Sequence, residues 1–377
     1  MKILYTNFHN SPDINGHVTY ISTLLKNLNG RHALYVATPA ESALYRIAQE
    51  IAGTRVFAMP FRSSIHRIPR YAKKLRAILK QEQIDVVHVN GSTDHKVALA
   101  ASKFLKNRPK IIFTKHNDVP IKFIGSLLRA RLGTDAIIAV CTHVKHMLKD
   151  SQYKEIPLYT IPNGVDTSYF TPASEAEIKE CRKRIFGDAF AHKFVVGSNA
   201  GTSDYKNWMD MIRAVAKLDP MKRNMFHVAV AGAPIKDEQL REIESLSMTE
   251  NFTYVGMLDD VRCFNQAIDI GYVLSSRVET ISFACREMMA CGKPVIVTDY
   301  SGLPENISDR KDGWIVPIRS PEVVSKILAG ITDQEFDLRA MGKEAREKAS
   351  QHFGVEKFVE ETERAYTATT ATTPFTL

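Results

Sequence analysis

A chain of 377 residues exceeds one ordinary hydrophobic core and suffices for two domains. Its composition, 44% hydrophobic and 24% charged, is that of a globular protein. No apolar run approaches the roughly 18–20 residues of a membrane span, and the opening MKILYTNF enters a strand pattern without the apolar stretch and cleavage site of a signal peptide. The net charge of +8 is uneven: residues 1–170 hold 24 Lys and Arg against 11 Asp and Glu, so the first half is expected to face something anionic.

In chain order, KILYTNF, ALYVAT, VVHVN, IIFTKH, AIIAVC and LYTIP read as short buried strands. HVTYISTLLKNL, IPRYAKKLRAILKQ and HKVALAASKFL between them repeat at helical spacing. The turn chemistry of PNGVDTSYFTP, residues 162–172, marks a boundary. A second series follows: FVVGSNAG, HVAVAG, FTYVG, IGYVLSS, PVIVTD and GWIVPI, with helices in WMDMIRAVAKL, EQLREIESL and FACREMMACG. The alternation predicts two Rossmann-like α/β domains, each a parallel sheet covered by helices on both faces. They are expected over residues 1–165 and 166–353, and ligands of such sheets bind beyond the carboxyl ends of the strands, in a crevice. An amphipathic helix is expected at about 354–366, and the tail TATTATTPFTL is expected to fray. Five scattered cysteines (Cys141, Cys181, Cys263, Cys285, Cys291) without a C-x-x-C pair predict a reducing compartment, no disulfide framework and no zinc site.

The loops after the strands carry the candidate chemistry. Asn15-Gly16-His17 opens the first helix, whose free N–H groups suit an anion. His88 and His116 end two strands; His88 reads as structural, while His116, in the polar run TKHND, is a candidate hydrogen-bond donor or proton relay. Gly197, Gly201 and Thr202 suggest a tight loop in GSNAGTSDYKNW, and Lys206 adds one ammonium to its backbone N–H groups. In RVETISFACREMMACG, a helix starting near Ser282 leaves Glu279 in the preceding loop and Glu287 inside the helix. The amides of Thr280, Ile281, Ser282 and Phe283 then point from the helix start, and each carboxylate can hold ligand hydroxyls. Neither G-x-G-x-x-G nor G-x-x-x-x-G-K-[ST] occurs, which argues against a nicotinamide dehydrogenase and a P-loop ATPase.

IPNGVDTSYFTP, the Glu279 and Glu287 pair, EMMACGKPVIVTDYSGLPENI and KDGWIVPI, in this order, resemble the retaining GT-B glycosyltransferases of family four, group one, over nearly the whole chain. The resemblance implies two Rossmann-like domains facing across a cleft, with the last helix, about 354–377, packing back on the N-terminal domain. It implies a donor site in which Glu287 holds the ribose of a nucleotide-sugar and Glu279 contacts the donor sugar. The backbone of Thr280–Phe283 would meet sugar and diphosphate, and Lys206 the phosphates. Gly16 matches the acceptor-side loop and His116 a histidine near the reacting sugar. This sequence departs from the family in three places. The run NAGTSDYK has no arginine a few residues before Lys206, so that charge is absent or comes from Arg277 or Arg286; Asn15-Gly16-His17 replaces a Gly-Gly pair; and Ser282 stands where glycine is common.

The expected function is therefore transfer of a sugar from a nucleoside-diphosphate sugar, a UDP-sugar first, to a hydroxyl of a saccharide or lipid-linked saccharide of cell-surface polysaccharide or lipopolysaccharide type. Retention is expected. No D-x-D occurs, so no cofactor or metal is expected. The basic run FRSSIHRIPRYAKKLRAILK, residues 61–80, suggests peripheral contact with an anionic membrane from the cytoplasmic side, or else an ordinary helix with a solvated basic face. No nucleic-acid module is evident. A GT-B nucleotide-sugar epimerase and a non-catalytic nucleotide-sugar binding protein are the alternatives.

Overall fold

A computed structural model describes residues 1–62, 65–187 and 192–371. The chain folds as two units, Met1–Asn163 with the segment from Glu356 onward, and Gly164–Val355.

Unit 1 is built on strands β1 (Lys2–Thr6), β2 (Ala33–Thr38), β3 (Arg55–Ala58), β4 (Val86–Val89), β5 (Lys110–Lys115), β6 (Ala136–Ala139) and β7 (Leu158–Thr160). Between them run helices α1 (Gly16–Leu28), α2 (Ala43–Glu50), α3 (Ile68–Glu82), α4 (Ser92–Ser102), α5 (Phe123–Arg131) and α6 (Thr142–Lys149). The strands form one parallel sheet in the order β3-β2-β1-β4-β5-β6-β7, so the winding reverses between β1 and β4. Continuous apolar runs such as AIIA in β6 are buried throughout, as helices on both faces require. The apolar residues Tyr71, Leu75 and Leu79 of α3 face this core, and Lys73, Lys74 and Lys80 face solvent; Ser63 and Ser64 of the run 61–80 lie outside the described residues.

In unit 2, α7 (Glu175–Phe186) leads into β8 (Phe194–Ser198), α8 (Met209–Ala216), α9 (Pro220–Asn224), β9 (Phe226–Ala231), α10 (Asp237–Ser245) and β10 (Phe252–Gly256). Next come α11 (Arg262–Ala267), β11 (Ile270–Val273), α12 (Phe283–Ala290), β12 (Val295–Thr298), β13 (Gly313–Val316), α13 (Pro321–Thr332) and α14 (Leu338–His352). The parallel sheet runs β10-β9-β8-β11-β12-β13, reversing between β8 and β11. One core holds Trp208, Phe226, Trp314 and Leu328; a second holds Phe264, Met288, Val297 and Ala345. A Cβ on Gly342 would meet the Gly292 carbonyl oxygen at 2.3 Å, so glycine is what lets α14 close on the end of α12.

The last helix, α15 (Val355–Ala371), is longer than the periodicity suggests: Thr367–Ala371 is helical rather than frayed, and residues 372–377 lie outside the described residues. From Glu356 it belongs to unit 1. Tyr366 Oη donates to Tyr5 Oη at 3.0 Å and lies 2.6 Å from His88 Nδ1, whose Nε2 lies 2.6 Å from Thr114 Oγ1. Burial holds the His88 imidazole at about 3, so it is neutral, and it serves the core. The cysteine expectation is corrected: Cys181 of α7 and Cys263 of α11 form a disulfide, with Cα atoms 5.3 Å apart across 82 residues. A pair so distant in sequence leaves no local spacing to read.

Candidate functional site

The loops after β8 and β11 leave the carboxyl ends of neighbouring strands on either side of the unit 2 switch point, where parallel sheets bind ligands. Gly201 (φ +95°) in the loop after β8 and Gly232 (φ +157°) in the loop after β9 let those two loops touch by backbone: a Cβ on Gly232 would come within 2.8 Å of Gly201 Cα and the Thr202 amide nitrogen. Thr202 is spent on the loop itself, its hydroxyl donating to Ala233 O at 2.6 Å while Trp208 Nε1 donates to Thr202 O at 3.0 Å. This anchored turn delivers Lys206, whose Nζ donates to Glu279 Oε2 at 2.5 Å. Ser275 Oγ donates to the same oxygen at 3.1 Å. The Lys206 and Glu279 side chains are 16% and 11% exposed, so the two charges partly neutralise each other in a shielded place. Val278, just before Glu279, sits at φ +54°, a strained conformation for a β-branched residue and one that clusters at functional loops.

Ser282 caps α12, its hydroxyl accepting from the Cys285 amide at 3.5 Å, and the opening amides of this helix point out of its N-terminus. The side chains of Thr280 and Ile281 are buried and that of Phe283 is half-buried, so these residues offer backbone rather than side chain. One turn into α12, Glu287 Oε2 accepts from Asn199 Nδ2 at 2.9 Å. Burial raises the Glu287 carboxyl to about 7, against the lowering effect of that bond. Asn199 Oδ1 is buried with no hydrogen-bond partner, an acceptor turned toward a donor the protein does not supply.

In unit 1, the acceptor-side candidates gather at the carboxyl ends of β1 and β5. Asn15 caps α1 by accepting from the amides of His17 (3.0 Å) and Val18 (3.2 Å), so it already takes N–H groups expected to face an anion; Gly16 opens the helix. The His17 ring lies 4.2 Å from that of His116 and 4.5 Å from that of His9, centroid to centroid. Asn90 Nδ2 donates to Thr6 O (3.1 Å) and His88 O (3.3 Å), which turns its Oδ1 toward His116 Nε2 at 2.8 Å. His116 Nε2 therefore carries the proton. Burial first, then neighbouring His9 and Lys115, holds His17 at about 3, and burial with His17 and His88 keeps His116 well below the usual range. Both rings are neutral at pH 7, suited to hydroxyls rather than to anions.

Two sequence expectations are corrected here. Gly197 belongs to β8, where a Cβ would strike Ile268 at 2.3 Å, and not to the loop. Arg286 is 2% exposed, donates to Asn306 Oδ1 at 2.8 Å and stacks 4.0 Å over the Phe353 ring, so it supports the core rather than replacing the missing arginine; Arg277 is exposed. Sequence reasoning missed Ser275, Asn199, Asn90 and His9. The signal for Asn199 and Asn90 was their place just after a strand, the same signal that singled out His116. Among the described residues, no group of three His, Cys, Asp or Glu side chains could hold a metal ion.

Residues 14–169 match the family described as Glycosyltransferase Family 4, and residues 188–348 match Glycosyl transferases group 1. The N-acetyl-alpha-D-glucosaminyl L-malate synthase of Bacillus anthracis is 24% identical over 319 residues, covering 80% of this chain and 81% of that protein. A phosphatidylinositol N-acetylglucosaminyltransferase subunit of Arabidopsis thaliana is 25% identical over 355 residues, covering 88% of this chain and 75% of that protein. Among solved structures, HepE of Anabaena in complex with UDP superposes with a TM-score of 0.83 at 19% identity, covering 98% of this chain and 100% of that one. HepE has also been solved with UDP-glucose.

Proposed function

Because this chain is a group 1 glycosyltransferase of family 4, we propose that it moves a sugar from a nucleoside diphosphate onto a hydroxyl of a saccharide or lipid-linked saccharide, with retention and without a metal ion. Being a transferase, it leaves no place for the epimerase and the non-catalytic alternatives. The observation that carries the proposal is the pairing of Lys206 with Glu279 and of Asn199 with Glu287 at the strand ends beside the switch point. Asn199 Oδ1 and the Glu287 carboxylate face a vicinal diol such as a ribose; Glu279 holds hydroxyls of the donor sugar. The amides of Thr280–Phe283 and the Lys206 ammonium meet the diphosphate. UDP is the donor nucleotide favoured first, because HepE binds UDP and UDP-glucose.

In the reaction the bond from the anomeric carbon to the diphosphate oxygen breaks, and its electron pair leaves with the phosphate. Negative charge grows there, to be met by the α12 amides and by Lys206 once the diphosphate draws it from Glu279. The acceptor oxygen bonds to the same face of the sugar and passes its proton to the departing phosphate oxygen. His116, neutral and with its one proton on Nε2 given to Asn90 Oδ1, uses Nδ1 to accept from a hydroxyl of the acceptor. Fixed donors do the work of a cation, in keeping with the lack of D-x-D. A lipid-linked acceptor accords with the basic first half and with the phosphatidylinositol named for the Arabidopsis relative. The same reading keeps the chain in the cytoplasm at the inner face of a membrane; among the described residues no helix is long and apolar enough to cross one.

A thermal-shift screen of nucleoside diphosphates and nucleotide-sugars, followed by turnover in EDTA, tests this. One nucleoside diphosphate class should raise Tm. Lys206→Ala should lower kcat about 100- to 1,000-fold with the fold retained. No shift with any nucleotide, near-normal turnover of Lys206→Ala, or activity lost in EDTA and restored by manganese would overturn it.

A further inference from the structure

Helix α5 departs from the other helices of unit 1. Only Ser126 and Arg129 of it are buried. Val119 just before it and Phe123, Ile124, Leu128 and Leu132 along it are 48%, 62%, 73%, 54% and 49% exposed. Ile124, Leu128 and Leu132 recur every four residues and make one stripe; Arg131, seven after Ile124, lies on the same stripe. The helix is held with this stripe outward. On its other side, Ser126 Oγ donates to Gln152 Oε1 at 2.6 Å and Arg129 Nε to Tyr153 Oη at 2.6 Å. Helix α3, by contrast, buries Tyr71, Leu75 and Leu79 and has no exposed large apolar side chain to offer a lipid.

Charge says what covers the stripe. Residues 115–132 carry Lys115, Lys122, Arg129 and Arg131 against the single carboxylate Asp118. Burial, then repulsion from Arg129, lowers both Lys96 of α4 and Lys115, the latter to about 8 although Asp118 opposes the shift. An apolar stripe over an excess of positive charge, with exposed Lys122 and Arg131 long enough to reach past it, matches the headgroup and acyl boundary of an anionic membrane. The stripe is also tied to the acceptor side. Lys115 Nζ donates to Asn117 O (2.6 Å), Asn117 Oδ1 (2.7 Å) and Val119 O (2.9 Å), bracing the short loop that joins His116 to α5.

We propose that α5, rather than the basic helix α3, is the membrane-contacting surface, seating its apolar stripe in an anionic lipid layer so that a lipid-borne acceptor reaches the His17 and His116 loops. The proposal rests on the lipid-linked acceptor reading above.

Flotation of the full chain with vesicles of phosphatidylcholine alone, and of phosphatidylcholine with phosphatidylglycerol, tests it at low salt. The wild type should float with the anionic vesicles. Ile124→Ser/Leu128→Ser should lower the bound fraction at least about tenfold, while Lys73→Ser/Lys74→Ser on the exposed side of α3 should change it less than about twofold. Phe123→Trp should shift its emission to the blue when anionic vesicles are added, and not with phosphatidylcholine alone. Absence of wild-type flotation, or unchanged flotation of the α5 variant, would overturn the proposal. So would light scattering that shows a dimer dispersed by the α5 substitutions, which would assign the stripe to a second copy of the chain. Nucleotide-induced Tm shifts do not depend on α5, so they separate failure here from failure of the donor-site reading.

Discussion

Lys206 and Glu279 hold each other at 2.5 Å, so under the proposed function a diphosphate takes the ammonium from a carboxylate that then turns to the sugar hydroxyls. Glu287 has a different electrostatic position, with an amide in place of a cation beside it and a carboxyl raised to about 7 by burial. Under the proposed function ribose hydroxyls favour its charged form, so ligand binding expels its proton, and affinity rises with pH until the free carboxyl is already ionised. The difference in UDP affinity between wild type and Glu287→Gln should widen from about pH 5.5 to about pH 7.5 in calorimetric titrations; comparing the two variants cancels the titration of the phosphate itself. Asp94 is raised in the same direction, but its pH dependence, in stability, has the opposite sign. Burial lifts its folded carboxyl from 3.8 to about 7, against hydrogen bonds from Thr6 Oγ1 at 2.6 Å and the Asn90 amide at 2.9 Å. Between those values the folded chain holds a proton that the unfolded chain has released. Stability therefore falls as pH rises through that window and stays lower above it. Asp94→Asn should flatten the slope and stabilise the protein at about pH 8 by on the order of 2 kcal/mol in urea melts.

At the scale of elements, glycine contacts set how closely helices approach. Gly→Ala inside a helix ordinarily gains roughly 1 kcal/mol. At Gly342 the sign should reverse, because the new Cβ would sit 2.3 Å from the Gly292 carbonyl oxygen and push α14 off the end of α12. Gly342→Ala should cost about 2 kcal/mol in denaturant melts; a more stable variant would show that the two helices can slide apart freely. Most strands were legible because parallel strands covered on both faces are buried and largely apolar from end to end, as AIIA is throughout and VVHV is but for His88. Strand β3 was missed for the converse reason: RVFA is short, lies at the sheet edge, pairs only with β2 and is nowhere fully buried. Helix α5 was missed as a surface because its sequence, FIGSLLRAR, reads equally well as a helix packed into the core; only its exposure separates the two.

At the scale of the whole molecule, α15 completes unit 1 from the far end of the chain. Phe358 packs 5.1 Å from Tyr20, centroid to centroid, Glu363 Oε1 lies 2.6 Å from His32 Nε2, and Tyr366 joins His88 to Tyr5. Tyr366→Phe would leave the buried His88 Nδ1–H without its acceptor and should cost about 1–3 kcal/mol, read as a lower Tm. An unchanged Tm would mean that the hydroxyl chain contributes nothing.

What the sequence determined by itself was local and periodic: the strand and helix alternation, the helix starts at Asn15-Gly16 and near Ser282, and the position of each candidate loop just after a strand. Those features depend on neighbours a few residues away, which periodicity and turn chemistry encode. Only the tertiary structure decided which distant groups meet. Lys206 finds Glu279 across 73 residues and Asn199 finds Glu287 across 88, because the sheet places β8 beside β11 and so brings their loops together. It also decided charge: Glu287, Asp94 and His17 take their protonation from how deeply the fold removes them from water, a quantity that no stretch of sequence contains.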